Sequence, residues 1–179
     1  ESDRNRLCVY ELATGKKNYV SEKFDSNVEG FVWNKDNKSL SFIGVWHGTL
    51  NLYQANFKGE VKQITNEWAD YGSISLANNG NKLLATKASM SHPTDIYIVT
   101  PGKDAKSTKV EQITRENDHI LNQLNLGKCE QRWVKTTDGK QMLVWIMLPS
   151  NFDANKKYPT LLFCEGGPQS PVSQFWSYR

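Results

Sequence analysis

The sequence has no long apolar run and no excess of charge of one sign. Its longest continuous apolar stretch, residues 142–148, is far shorter than the roughly 18 residues that a membrane-spanning helix requires. The 22 basic and 19 acidic side chains are interspersed and leave a formal net charge of only +3. Because no basic stripe could follow a phosphate backbone, neither nucleic acid binding nor a membrane span is expected.

Cysteine and histidine are scarce, with three residues of each. Cys8, Cys129 and Cys164 are far apart and not at metal-ligand spacing, so they are predicted to be buried thiols without a redox or metal role. The histidines, predicted to be surface or turn residues, are His47, His92 and His119. No metal and no organic cofactor is expected.

The first two thirds of the chain repeat. Residues 8–21, 52–65 and 96–114 each combine a β-branched or aromatic strand, a polar turn and a second strand that closes on a hydroxyl residue. The equivalent positions Val9, Leu52 and Ile96 are 43 and 44 residues apart. Between these segments, residues 33–42 and 76–85 share a turn rich in Asp, Asn or Gly that leads into an apolar strand.

A period of 40 to 45 residues with four strands each is typical of a β-propeller blade. We therefore predict the outer half of one blade over residues 6–21 and complete blades over 28–65 and 71–114. The fold class predicted is mainly β: a partial propeller of about two and a half four-stranded blades, over residues 1–126. The spacing does not give the total blade number.

A different domain is predicted over residues 127–179. Residues 116–126 begin like an inner blade strand, but no complete blade follows. Asp138-Gly139 is a strong hairpin turn pair between two strand-like segments, 130–136 and 141–149. Residues 160–164 are a short apolar run typical of a strand buried on both faces, and Glu165-Gly166-Gly167-Pro168 follows directly. This order indicates the first strands of an α/β-hydrolase sheet.

Two stretches carry a family resemblance: Trp-Val-Lys-Thr-Thr-Asp-Gly-Lys at 133–140, and Lys-Lys-Tyr-Pro-Thr-Leu-Leu-Phe-Cys-Glu-Gly-Gly-Pro-Gln-Ser-Pro at 156–171. Their order resembles the propeller-to-hydrolase junction of the prolyl oligopeptidase family of serine peptidases, in its dipeptidyl-peptidase-IV-like and acylaminoacyl-peptidase-like branches. Together with the repeats, the resemblance covers essentially the whole chain.

The resemblance implies an oxyanion loop at residues 165–168. In α/β-hydrolases the loop after the third strand supplies a backbone N–H to the oxyanion hole, and glycines let the backbone approach the substrate. Gly166, Gly167 and Pro168 fit that role, although a simple turn would use the same residues. Glu165 stands where relatives commonly carry Tyr or His. An ionised carboxylate only accepts hydrogen bonds, so Glu165 is not expected to stabilise an oxyanion. Orienting the loop and binding a substrate amine are the alternative roles for Glu165.

The catalytic triad is expected to lie outside these residues, since no Gly-x-Ser-x-Gly nucleophile elbow occurs in the sequence. The chain by itself is therefore predicted to be inactive. Trp46, Trp68 and Tyr71 fall at the ends of predicted blade strands and are candidates to line a peptide path, with packing between blades as the alternative.

The predicted parent is a serine exopeptidase or oligopeptidase that cleaves short peptides by Ser-His-Asp acyl transfer, with a propeller that restricts access. The alternative is a non-catalytic propeller that binds a protein, as in TolB-like proteins; residues 130–168 discriminate, because a pure propeller would continue with blades there. The resemblance favours a periplasmic or exported enzyme, while the residues leave the compartment open. An open ring would expose blade edges and favour self-association.

Overall fold

A computed structural model describes residues 3–78, 80–164 and 170–177 of the chain. Twelve strands account for most of the regular structure. They are β1 (Cys8–Tyr10), β2 (Lys17–Tyr19), β3 (Val28–Trp33), β4 (Ser39–Trp46), β5 (Thr49–Asn56), β6 (Val61–Gln63), β7 (Asp70–Leu76), β8 (Leu83–Ser89), β9 (His92–Thr100), β10 (Lys109–Gln112), β11 (Lys128–Lys135) and β12 (Gln141–Leu148). A 3₁₀ turn, Ala105–Ser107, precedes β10, and one helical turn, α1 (Asp118–Leu121), follows it.

Strands β3–β6 and β7–β10 form two antiparallel four-stranded meanders, as predicted for residues 28–65 and 71–114. Strands β1 and β2 form a separate two-stranded ribbon, which corresponds to the predicted half unit. The two meanders are joined by a single parallel bridge, between Leu50 of β5 and Asp70 of β7. The fold is therefore mainly β, and its sheets are open.

The hydroxyl residue that closes each repeat has a common structural role. In each copy, a backbone amide within one strand, or just before it in the case of Leu7, donates a hydrogen bond to a side-chain oxygen beyond the end of the next strand. The three bonds are Leu7 N to Ser21 Oγ (2.8 Å), Leu52 N to Thr65 Oγ1 (2.9 Å) and Ile96 N to Thr114 Oγ1 (2.9 Å). The same bond in three copies confirms that the sequence repeat is also a structural repeat.

The first meander lies between two cores and is buried on both faces. Neighbouring residues of a strand point to opposite sides of a sheet, so they enter different cores. Phe42 of β4 and Tyr53 of β5 belong to one core cluster, which also contains Val20 and Phe24 from the β1–β2 region. Their neighbours Ile43 and Leu52 belong to a second core, shared with the second meander. This arrangement explains why residues 39–44 are buried without alternation.

Strands β11 and β12 pair along their whole length and confirm the predicted hairpin. Lys135 faces Gln141, so the turn contains residues 136–140. Gly139 adopts a positive φ of 82° there, the left-handed conformation for which a glycine is favoured.

Three sequence predictions are wrong. Residues 160–164 form no strand, and Leu161 and Phe163 are 98% and 74% exposed, because a central strand requires neighbouring strands and none pairs with it among the described residues. Residues 118–121 form a helical turn in place of the start of a blade strand. Cys8 and Cys164 are exposed thiols and only Cys129 is partly buried.

No helix in the described part of the chain has the length and apolar character to cross a membrane.

Candidate functional site

The β11–β12 hairpin packs against the turns at one end of the meanders through aromatic side chains. His47, in the turn between β4 and β5, meets the edge of the Trp133 ring at a centroid distance of 5.0 Å. Trp68, in the connection between the two meanders, meets Trp145 of β12 in the same way at 5.6 Å. The two edge-to-face contacts fix the hairpin against this end, which we call the hairpin-facing end.

Gly48 is the point at which this packing is closest. It has a positive φ of 65°, and a Cβ atom there would lie 2.8 Å from Nε1 of Trp145 and 2.9 Å from the carbonyl oxygen of Val172. Nε1 of Trp145 itself donates a hydrogen bond to that carbonyl, at 3.1 Å. The turn, the hairpin and residue 172 therefore meet where only a hydrogen atom fits.

Residues 172–176, the tail, are attached to the start of β7. The carboxylate of Asp70 accepts hydrogen bonds from Oγ of Ser173 (2.6 Å), the amide of Gln174 (3.1 Å) and the amide of Leu50 (3.2 Å). The Gln174 side chain is buried and donates toward Sγ of Cys129 on β11 at 3.7 Å. The tail thus contacts both the meanders and the hairpin.

Asp70 and Asp36 should respond to acid in opposite directions. Burial raises the pKa of Asp70, although its three hydrogen bonds oppose the shift. The amides of Lys38 and Ser39 donate to Asp36 and hold its pKa below the ordinary value. The stabilising contribution of Asp70 is therefore present below its unfolded pKa and lost as the pH rises through its folded pKa. The stabilising contribution of Asp36 is present above its unfolded pKa and is lost as the pH falls through its folded pKa.

The test is the free energy of unfolding of wild type, Asp70→Asn and Asp36→Asn between about pH 7 and about pH 3. As the pH is lowered, wild type should gain stability relative to Asp70→Asn and lose stability relative to Asp36→Asn. Differences that change in the same direction for both variants would contradict the assigned environments.

A partly buried group of three polar side chains, Glu67, Tyr71 and Lys87, lies behind the hairpin-facing end. The hydroxyl of Tyr71 donates to Glu67, whose other carboxylate oxygen is 3.1 Å from Nζ of Lys87. The Lys87 ammonium also lies over the ring of Tyr97, 4.2 Å from its centroid. Burial and the neighbouring Glu67 carboxylate raise the pKa of Tyr71, so its hydroxyl stays protonated and acts as a donor. Beside this group, a cavity of about 340 Å³ is lined by Asp70, Lys87 and Phe175, among others.

The candidate path residues are not brought together. Trp46 and Trp68 are 40% and 52% exposed at the hairpin-facing end, whereas Tyr71 is completely buried in the core between the meanders. The assignment of Trp46 and Trp68 to a peptide path stays a prediction. The candidate oxyanion residues Glu165, Gly166, Gly167 and Pro168 lie outside the described residues.

One group of side chains has the composition of a metal site. His92, Asp95 and Asp118 offer ligand atoms within 4.8 Å of one another. The two oxygens of Asp95, however, accept hydrogen bonds from Thr114 Oγ1 and Gln112 Nε2. Since Thr114 is also the hydroxyl that closes the repeat, this buried carboxylate is accounted for by the meander.

Sequence reasoning missed Gly48, Asp70 and the tail residues Ser173 and Gln174. The sequence signal for Gly48 is a glycine in the tight Trp-His-Gly turn, which favours a positive φ. The structure has a positive φ at Gly48. Asp70 has no such signal, because its partners in the tail are 103 and 104 residues away.

Known proteins resemble the chain over its whole length. It is 44% identical over 180 residues to "Dipeptidyl-peptidase 5" of Porphyromonas gingivalis and 30% identical over 187 residues to "Dipeptidyl-peptidase 5" of Schizosaccharomyces pombe. Each alignment covers 100% of the chain and 25% of the relative, so the chain spans about a quarter of the length of these relatives. No family model matches.

The fold resembles that of solved peptidases. An acylaminoacyl peptidase in complex with Z-Gly-Gly-Phe-chloromethyl ketone matches 99% of the chain with a TM-score of 0.78 at 20% identity, over 26% of its own length. The Pyrococcus horikoshii acylaminoacyl peptidase matches the same share with a TM-score of 0.77 at 19% identity, also over 26% of its length.

The meanders, the hairpin and the attached tail thus form a mainly β segment of the kind found in peptidases. The chain belongs to the prolyl oligopeptidase family of serine peptidases, which confirms the resemblance identified in its sequence.

Proposed function

We propose that the parent polypeptide is a dipeptidyl-peptidase that hydrolyses short peptides by Ser-His-Asp acyl transfer. The observation that carries the proposal is the 44% identity, over the whole chain, to a protein named dipeptidyl-peptidase 5. A second relative with this name, from Schizosaccharomyces pombe, is 30% identical.

In this proposal the meanders are blades of a partial propeller. Two features support it: the hydroxyl-closed repeat, and the two cores, each of which lies between consecutive repeat units. A ring of such blades would restrict access to peptides that pass its openings. Residues 1–126 would then belong to the propeller and residues 127–179 to the start of the hydrolase domain.

The oxyanion loop is assigned to residues 165–168. The Gly166-Gly167 pair would allow a backbone N–H to approach the carbonyl oxygen of the scissile bond. The tail begins four residues after Pro168 in the sequence, and it packs at the hairpin-facing end. That end of the meanders also carries Trp46 and Trp68, the candidates for the peptide path.

The alternative of a propeller that binds a protein partner without catalysis is less well supported. A third meander would be expected after β10 in that case, but a single helical turn and the isolated β11–β12 hairpin follow. The matched relatives and solved neighbours are also named as peptidases.

The products released from a defined peptide test the proposal. The complete parent polypeptide is incubated with an unblocked decapeptide and with the same peptide acetylated at its N-terminus, and the products are identified by mass spectrometry. A dipeptidyl-peptidase should release dipeptides from the unblocked peptide alone. Release of acetylated amino acids would instead indicate an acylaminoacyl peptidase, and an absence of cleavage by the folded polypeptide would overturn the proposal.

A further inference from the structure

We propose that the end of the meanders opposite the hairpin-facing end is a lysine-rich surface that binds the headgroups of an anionic lipid membrane. This surface, which we call the lysine end, consists of the five turns that join β1 to β2, β3 to β4, β5 to β6, β7 to β8 and β9 to β10, with the first residue of the strand after each turn. The inference goes beyond the proposed function and does not depend on it.

The antiparallel order of the strands places these turns at one end. Successive turns of a meander alternate between its two ends, so the turns after β3 and β5 lie opposite the turn that contains Gly48. Contacts also join neighbouring turns. Nζ of Lys62 donates to the carbonyl oxygen of Gly102 at 2.6 Å. Nδ2 of Asn18 donates to the carbonyl oxygen of Phe57 at 2.9 Å. The turns of the ribbon and of both meanders thus share one surface.

The lysine end has an excess of positive charge that is not apparent in the sequence, because its lysines are far apart along the chain. Each turn contributes between one and three lysines, and the nine lysines face four carboxylates. This local excess of five charges is larger than the +3 of the whole chain. Eight of the nine lysines are exposed and Lys82 is half-buried. The fold therefore gathers charges that the sequence intersperses.

The four carboxylates of the lysine end are used to hold the turns. Each accepts a hydrogen bond from a residue three or four positions away: Glu11 from Thr14, Asp36 from Ser39, Glu60 from Asn56 and Asp104 from Ser107. Among the described residues, the lysines that form ion pairs all lie elsewhere, at Lys87, Lys128, Lys140 and Lys156. The ammonium groups of the lysine end are thus left to attract an external anion.

The type of cation favours a diffuse negative surface as the partner. The lysine end contains no arginine. Arginine has the planar fork that binds a single carboxylate or phosphate in a bidentate manner, whereas lysine carries a compact point charge. Basic residues at a protein surface are attracted by the negative potential of an anionic bilayer without recognising an individual group. Nine lysines spread over five turns suit that kind of attraction.

Exposed apolar side chains lie among the lysines. Leu12 in the first turn is 90% exposed, Phe57 in the third is 39% exposed, and Trp33 directly before the second is 43% exposed. The rings of Trp33 and Phe57 meet edge to face at 5.8 Å, which leaves less ring surface for stacking on nucleic acid bases. A bilayer accommodates both kinds of group, because its headgroups bind ammonium groups and its acyl boundary takes up leucine and aromatic side chains.

The experiment measures binding of the complete parent polypeptide to vesicles by co-sedimentation. One set of vesicles is phosphatidylcholine alone, and the other is an equimolar mixture of phosphatidylcholine and phosphatidylglycerol. The parent should bind the mixed vesicles and not the neutral ones. Raising the salt concentration from about 0.1 M to about 1 M shortens the screening length from about 10 Å to about 3 Å, so most of the bound protein should be released.

A triple variant tests the lysine end itself. Lys38→Gln, Lys58→Gln and Lys103→Gln remove one charge from each of three turns. Together they should weaken binding to the mixed vesicles by about 100-fold, because each lysine near an anionic surface contributes about fivefold to the binding constant. Circular dichroism and the thermal midpoint show whether the variant is folded. If it is not, the single variants are measured, and each should bind about fivefold more weakly than wild type.

The matched control removes the same net charge from another part of the chain. It combines Lys128→Gln, Lys140→Gln and Lys156→Gln, whose side chains are 74%, 83% and 70% exposed. These lysines are paired with carboxylates and lie outside the lysine end. The control should bind the mixed vesicles within about twofold of wild type, because charges farther from the membrane than the screening length contribute little.

Leu12→Gln separates a lipid surface from a soluble polyanion. It should weaken binding to the mixed vesicles by about tenfold, because the leucine is buried at the acyl boundary only in the bilayer. Binding of the same variant to heparin and to duplex DNA should equal that of wild type.

The inference is overturned if the folded parent does not bind the mixed vesicles, or if the two triple variants lose the same affinity. Tighter binding to heparin or duplex DNA than to the mixed vesicles, with no effect of Leu12→Gln on the vesicles, would identify a surface for soluble polyanions and would also overturn it. None of these measurements involves peptide hydrolysis, so the outcomes are distinct from a failure of the proposed function.

Discussion

Replacement of Gly48 by valine should destabilise the chain by about 2–5 kcal/mol and loosen the hairpin from the meanders. A β-branched residue is strained at a φ of 65°, at a cost of roughly 1–2 kcal/mol. Its Cβ would also lie 2.8 Å from Trp145 Nε1 and 2.9 Å from the Val172 carbonyl oxygen, which adds about 1–3 kcal/mol of overpacking. The change is measured as the free energy of unfolding and as the hydrogen exchange of the backbone amides of β11 and β12.

Gly59→Val is the matched control for Gly48→Val. Gly59 has nearly the same backbone, with a φ of 73°, but no atom lies within 4 Å of the position that a Cβ would take there. The control should therefore show the backbone strain alone. Equal losses of stability in the two variants would contradict the close contact between the turn, the hairpin and the tail.

Replacement of Gly167 by valine in the complete parent polypeptide should lower kcat by about 100-fold, with a modest effect on folding. A bulky side chain would keep the backbone N–H away from the oxyanion, and loss of one such donor typically costs about 10² to 10³ in kcat. Steady-state kinetics and the thermal midpoint are measured together, with Gly59→Val as a control far from the loop. Unchanged turnover in the folded variant would show that residues 165–168 are not the oxyanion loop.

The repeat could be predicted because each of its copies follows local rules. Strand residues, turn residues and a closing hydroxyl recur at a nearly fixed period, and the hydroxyls of Ser21, Thr65 and Thr114 all accept an amide hydrogen bond. The hairpin at Asp138-Gly139 could also be predicted, because Asp and Gly favour turns and Gly139 takes the positive φ that the turn at residues 136–140 uses.

The strand predicted at residues 160–164 could not be judged from its own composition. A run of apolar residues favours a buried strand only when other strands are available to pair with it, and Leu161 and Leu162 are instead exposed. The role assigned to residues 165–168 stays a prediction, because these residues lie outside the described part of the chain.

The contacts that assemble the candidate site depend on pairs that are distant in sequence. In the sequence Asp70 is an ordinary polar residue near the start of a strand, yet in the structure it is a partly buried acceptor for Ser173 and Gln174. Likewise, Gly48 could be recognised as a turn glycine, but its contact with Trp145 depends on the packing of the hairpin. No local pattern carries this information.

The central claim, that this chain is one segment of a serine peptidase, is tested most directly by labelling with a fluorophosphonate probe. The complete parent polypeptide and this 179-residue chain are treated in parallel, and the labelled residue is mapped by mass spectrometry. We expect stoichiometric labelling of one serine of the parent outside residues 1–179, and no labelling of the isolated chain. Labelling of a serine within residues 1–179, or a folded parent that does not react, would contradict the account.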